Sequence, residues 1–434
     1  MIQTVKSKIM LMIILKKKGT MHMHKQQKKS FYRIQRVLVI LLPLLVLSLI
    51  ALLITNSHLT RNRTADSDPS LNNTDLSADL TIPAPPAPDT ASNDLASSHT
   101  ETPPDPSPEP ETEPDVTTDP VTLLFTGDVL LSDYVLNNYK KSGIDGILSP
   151  ELLSELKNAD ITIINNEFPF SRRGTQAADK QYTFRVDPEY VSVLTDMGVD
   201  IAGLANNHVL DFGSDALLDT FDTLDNANID YMGAGSDLSR ASALITRQAG
   251  GKTFGFLAAS RVIPVVSWDA QNASPGVFTT YDPTRLIEAI KAAHDSCDYL
   301  TVFVHWGIER DEYPQDYQIT MAQQYIDAGA DLVIGSHPHV LQGIAYYKDK
   351  PVFYSLGNFI FNQSIPKTAV VKVTIDDESG PVIQLLAATA SNARTVACEG
   401  TQKTGIYDYL ENISNGISID DNGILSQTVQ SSSD

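Results

Sequence analysis

Between Val121 and Ile334, short apolar runs alternate with segments of helical spacing, and this alternation leaves few folds open. Val121–Phe125, Ile161–Ile164, Ile201–Leu204, Phe254–Ala258, Tyr299–Val304 and Leu332–Ile334 read as buried strands. Glu151–Asn158, Glu189–Met197, Ala216–Asn226, Thr284–Ala293 and Met321–Ala328 read as the helices between them. Strands separated by helices imply parallel crossovers and therefore an α/β fold. Pro351–Tyr354, Ala369–Ile375 and Val382–Ala387 then follow without intervening helices, which predicts an antiparallel edge. The interval 119–395 is long enough for one large core or two fused halves, and 396–434 reads as a C-terminal tail.

Ahead of this interval the composition changes twice. Residues 1–36 carry ten Lys/Arg and no Asp/Glu, so the net charge of −21 conceals a more acidic remainder. Residues 37–54 form an uncharged, almost wholly apolar run of 18 positions, close to the ~20 that span a hydrocarbon core. We read 37–55 as a transmembrane anchor, with 1–36 cytoplasmic because basic residues stay on that side. The run exceeds the ~7–15 residues of a signal-peptide core, and no small-x-small site follows it. Residues 56–118 hold 11 of the 24 prolines in a Ser/Thr/acidic background, a composition that predicts a disordered linker carrying the main domain outside the cell membrane. Cys297 and Cys398 lack metal-ligand spacing, so pairing and free thiols both stay open.

The chemistry gathers at strand ends, the edge where open α/β sheets bind ligands. Asp331-Leu-Val-Ile-Gly-Ser-His-Pro-His339 empties an apolar strand into a loop bearing His337 and His339. Thr126-Gly-Asp128, Asn165-Asn-Glu-Phe-Pro169, Ala205-Asn-Asn-His208 with Asp211, and Val302-Phe-Val-His-Trp-Gly307 repeat the pattern. A Gly-Asp pair alone, or Asn-His in a turn, is ordinary turn chemistry. Five such loops together point to an N/O-ligated divalent ion with a nearby proton donor.

These motifs, with His305-Trp-Gly-Ile-Glu309 and Tyr354-Ser-Leu-Gly-Asn-Phe359, resemble the CapA family of poly-γ-glutamate capsule biosynthesis proteins over about residues 121–362. That family is similar to the calcineurin-like metallophosphoesterases. The resemblance implies a four-layer α/β/β/α sandwich with one or two divalent ions (manganese, zinc or iron). By the same resemblance Asp128 and His339 hold the first ion, Glu167 stands at the bridging position, and Asn207, His305 and His337 hold the second. His208 becomes the proton donor, a role suited to imidazole at neutral pH, and Asp211 orients it.

Leu130 stands where phosphoesterases place a further His, and Glu167 replaces the usual bridging Asp. Both departures favour metal binding over efficient two-metal hydrolysis. Glu309 is open as replacement ligand, substrate contact or plain surface acid. Arg172 and Arg173, with Lys180 and Arg185, offer either a basic patch for an anionic substrate or a solvated loop. Two functions follow: an anchored accessory that handles poly-γ-glutamate alongside synthase subunits, and a metal-dependent phosphoesterase acting on an envelope-derived substrate. The acidic composition argues against nucleic acid as a partner.

Overall fold

The computed structural model describes residues 119–377 and 379–428. The basic segment 1–36, the anchor 37–55 and the linker 56–118 lie outside the described residues. Among the described residues no helix is long and apolar enough to cross a membrane.

Two mixed sheets share one hydrophobic core. The first runs, in spatial order, Arg394–Ala397, Gly380–Ser391, Ser364–Asp376, Val121–Val129, Ile161–Asn166, Ile201–Gly203 and Asp230–Met232. The four strands from Val121–Val129 onward are mutually parallel, whereas the three later strands attach antiparallel. The second sheet runs Ile344–Tyr347, Lys350–Phe353, Leu332–Ser336, Tyr299–His305, Lys252–Ser260 and Ile245–Ala249. Its four inner strands are parallel and its two edges antiparallel.

The side-chain period of two divides the second sheet cleanly. Phe254, Phe256, Phe303, Leu332 and Ile334 enter the core shared with the first sheet. Their neighbours Leu257, Leu300, Val302, Val304 and Val333 point into a second core with Leu286, Ile290, Met321 and Tyr325 from helices Thr284–His294 and Asp316–Asp327. The expected helices form where local signals support them. In Pro150–Asn158, Pro150 occupies the first turn and the Ser149 hydroxyl accepts from Leu152 N. Val191–Met197 ends at Gly198, whose φ of 78° is left-handed.

Two expectations change. Pro351–Tyr354 does not share an edge with Ala369–Ile375 and Val382–Ala387; Lys350–Phe353 lies in the second sheet, antiparallel to the edge strand Ile344–Tyr347 and parallel to Leu332–Ser336. Lys348 (φ 49°) and Asp349 (φ 61°) make a two-residue turn after Ile344–Tyr347, so a hairpin replaces the crossover helix. Residues 396–434 are more than a tail, because 400–427 form helix Gly400–Ile413 and a small hairpin, Ile417–Ile419 with Leu425–Gln427. Ile406, Tyr407, Leu410, Ile417, Ile419 and Leu425 belong to the main core, and burying them ties this segment to the first sheet. Cys297 and Cys398 are both free thiols.

Candidate metal centre

The parallel inner strands of both sheets deliver their carboxyl ends to one place. Asp128 precedes the last residue of Val121–Val129, Glu167 follows Ile161–Asn166, and His305 closes Tyr299–His305. All three are buried, and each offers a ligand atom within 4.8 Å of the others. Gly127 makes this approach possible: a Cβ there would stand 2.0 Å from Gly357 O. The Asp128 amide donates to that same carbonyl at 2.8 Å, and Asp128 pairs in register with Asn358.

His339 joins the cluster, its Nδ1 3.0 Å from Asp128 Oδ2 and 2.9 Å from Asn358 Oδ1, and its Nε2 4.0 Å from Glu167 Oε2. The His337 ring centre is 4.7 Å from that of His305 and 5.9 Å from that of His339. His337 (φ 98°) and His339 (φ 59°) both occupy the left-handed region, each costing of the order of 1 kcal/mol that the surrounding strands must offset. Asn207 Oδ1 lies 2.8 Å from His305 Nε2, and Ser336 Oγ 2.9 Å from His305 Nδ1. The structure therefore brings together Asp128, Glu167, Asn207, His305, His337 and His339.

Electrostatics mark the cluster as short of positive charge. Burial, reinforced by Asp128, holds the Glu167 carboxyl well above its ordinary pKa. Burial opposes a charged His339, yet Glu167 and Asp128 outweigh it and raise the imidazole to about 10. Burial and the His339 charge push His337 down to about 3, and burial, with the neighbouring imidazoles, likewise keeps His305 neutral. Two buried ligand atoms, Glu167 Oε2 and His337 Nδ1, have no hydrogen-bond partner among the described residues. Unpaired buried polar atoms of this kind are uncommon, and a cation satisfies both types.

Beside the cluster, His208 Nδ1 lies 2.8 Å from Asp211 Oδ2, which also accepts from Phe184 N at 2.7 Å. Lys180 donates to Asp211 Oδ1 and to the Asn207 carbonyl, and its Nζ is 3.0 Å from His208 Nδ1. Burial lowers the pKa of His208, so its resting form is neutral imidazole.

The remaining candidates lie differently. Arg172 pairs with Asp187 and Arg173 with Asp219, so neither guanidinium is uncompensated. Arg172 lines a surface depression of about 410 Å³ that includes none of the cluster residues. Glu309 is exposed on the loop after His305, and its charge reaches Lys180. Leu130 is buried, its amide donating to Ile360 O at 2.6 Å. Sequence reasoning passed over Asn165, Asn206, Ser336 and Asn358 as site residues, although each adjoins a strand end already singled out.

A model for the family described as bacterial capsule synthesis protein PGA_cap matches residues 122–363, more than half of the chain. This chain belongs to the PGA_cap family. The matched span contains every residue of the cluster. Among relatives, the PGA biosynthesis protein CapA of Bacillus subtilis (strain 168) is 35% identical over 254 residues, covering 58% of this chain and 66% of the relative. The capsule biosynthesis protein CapA of Bacillus anthracis is 31% identical over 279 residues, covering 61% and 66%. The chain thus spans just under two thirds of the length of either relative. A solved phosphatase from Mycoplasma pneumoniae is 13% identical with a TM-score of 0.41, covering 68% of this chain and 99% of that one.

Proposed function

We propose that this chain is a membrane-anchored, outward-facing component of poly-γ-glutamate capsule biosynthesis or export that handles the polymer at a divalent-metal site. Membership of the PGA_cap family and the CapA relatives support the process. The uncharged run at 37–54 with its basic flank supports the anchor and its direction. The observation that carries the metal site is the pair of orphaned, buried ligand atoms, Glu167 Oε2 and His337 Nδ1, beside a cluster of carboxylates and imidazoles.

In this reading Asp128, Glu167 and His339 hold one position, with Asn207, His305 and His337 completing the set. A bound divalent ion supplies Lewis-acid polarisation of a carbonyl or phosphoryl oxygen. His208, kept neutral by burial and oriented by Asp211, moves a proton to or from the substrate beside the cluster. Polymer and synthase subunits are the partners this role requires. The alternation of the second sheet between two cores supports reading the domain as an α/β/β/α sandwich.

The His208–Asp211 pair favours a second reading, a metal-dependent phosphoesterase or other hydrolase acting on an envelope-derived substrate. Elemental analysis of the full chain after manganese or zinc loading tests the shared premise. Metal in the wild type that is lost in His337→Ala/His339→Ala supports it, and a folded wild type with metal only at background ends it. Deletion of the gene separates the readings: loss of surface polymer supports the capsule role, whereas unchanged polymer with chelator-sensitive phosphoester turnover supports the hydrolase.

A further inference from the structure

A depression of about 310 Å³ adjoins the candidate metal centre. Its floor includes Leu130 and Leu131, just beyond Asp128, and Phe184, whose ring centre is 4.5 Å from that of His208. Asn362 lines it directly after Phe361, whose ring centre is 4.8 Å from that of His339. The hollow therefore touches one residue packed on a histidine of the site and the chain neighbour of another.

Its polar lining is incompletely satisfied. Ser132 Oγ is buried without a hydrogen-bond partner among the described residues. Arg185 also lines the hollow, held by stacking on Phe212 at 4.1 Å and by donating Nη1–H to Arg173 O at 2.8 Å. Arg172 and Arg173 each have a carboxylate partner, but Arg185 has none among the described residues. Asp133 is the one carboxylate on the lining, and it makes no ion pair with Arg185. A guanidinium fixed by stacking and a backbone bond has already lost much of its rotamer freedom, so an incoming carboxylate gains a bidentate partner at low ordering cost. Leu130, Leu131 and Val186 give methylene groups an apolar surface beneath it.

We infer that this hollow is a subsite for an aliphatic chain bearing carboxylates, with Arg185 as its anion partner, seating one repeat of an acidic polymer beside the metal centre. The inference rests on the polymer-handling reading and adds where the chain lies. Leu130 acquires a role here: the side chain that replaces an expected ligand forms the floor of the subsite.

The test is calorimetric titration of the full metal-loaded chain with a short γ-linked glutamate oligomer and, separately, inorganic phosphate. Arg185→Gln is expected to weaken oligomer binding on the order of tenfold, the scale of one charge-assisted contact, with metal content and phosphate binding unchanged. Arg185→Lys falls between, which keeps the test valid if Arg185→Gln loses its packing on Phe212. Lys348→Gln, removing an exposed charge paired with Asp327, leaves affinity unchanged. Oligomer binding by Arg185→Gln equal to wild type overturns the subsite alone. An equal loss in Lys348→Gln overturns it in favour of general charge attraction. A metal-loaded wild type that binds no oligomer overturns the polymer-handling reading and the subsite together.

Discussion

Asn165 and Asp128 face each other in register on parallel strands, and the Asn165 side-chain amide donates to Asp128 Oδ1 at 2.8 Å. The same amide donates to Glu167 Oε1 at 3.0 Å, while its Oδ1 accepts from Asn206 Nδ2 at 3.1 Å. One uncharged residue thus links two buried carboxylates to the loop that carries Asn207 and His208.

Asn165→Ala removes both donors and leaves the carboxylates facing each other. Unfolding of the metal-free chain in urea is expected to show a loss of about 1–3 kcal/mol, the cost of stranding buried acceptors. Manganese or zinc should recover part of it, since a cation takes over the missing compensation. Equal stability of variant and wild type without metal would show that the amide is incidental.

Lys180→Met strips Asp211 of its ammonium while His208 and Phe184 N remain. Breaking a buried pair on one side costs about 3–5 kcal/mol, whereas Lys180→Met/Asp211→Asn removes both charges and should cost less than the single change. A double variant less stable than Lys180→Met contradicts the pairing.

Gly127→Ala places a methyl group 2.0 Å from Gly357 O, a contact that only backbone movement relieves. Separation of two paired strands should lower the melting temperature and the metal content together. Gly405→Ala is the counterpart: Gly405 lies inside helix Gly400–Ile413 and its Cβ would meet nothing within 4 Å. That change should stabilise by up to about 1 kcal/mol. Melting curves of the two variants moving the same way would refute the steric argument.

Chelation of a metal-loaded wild type should lower its melting temperature, because a ligand bound only by the native state contributes RT ln(1 + [L]/Kd). His337→Ala/His339→Ala should show no such response. A wild-type melt that chelator leaves in place would mean the cluster is stable on its protons alone.

Removal of residues after 399 should abolish cooperative unfolding, as it exposes the main-core surface covered by Ile406, Tyr407 and Leu410. A truncated chain that melts like wild type would reduce the closing helix and hairpin to an appendage.

The parallel inner strands were legible because burial on both faces writes continuous apolar runs, and the polar residues ending them are those the structure brings together. Strands as short as Asp230–Met232 or Asn358–Ile360 carry no period that sequence displays. The helix Gly400–Ile413 was missed because its buried face amounts to Ile406, Tyr407 and Leu410 among polar neighbours. Lys180 was visible only as one member of a basic cluster. Its contact with Asp211 spans 31 positions and depends on how an irregular loop folds back, which no local spacing encodes. Arg172 and Arg173 looked equivalent to Arg185 in sequence, and only their carboxylate partners distinguish them.

The strand Val121–Val129 is synthesised first among the elements described, yet one of its flanks is closed by Ser364–Asp376 and its tip by Asn358–Ile360. Until about residue 376 has emerged, that strand carries an open edge, and until His339 and Asn358 have emerged Asp128 lacks their contacts. Folding is therefore governed by contacts more than 200 residues apart, which is slow and leaves an unpaired strand exposed to other chains. A chain that stops before residue 330 has four of the six cluster residues and lacks His337 and His339. On the proposed reading, metal loading would be a late event and would report that the chain has been delivered at least through His339.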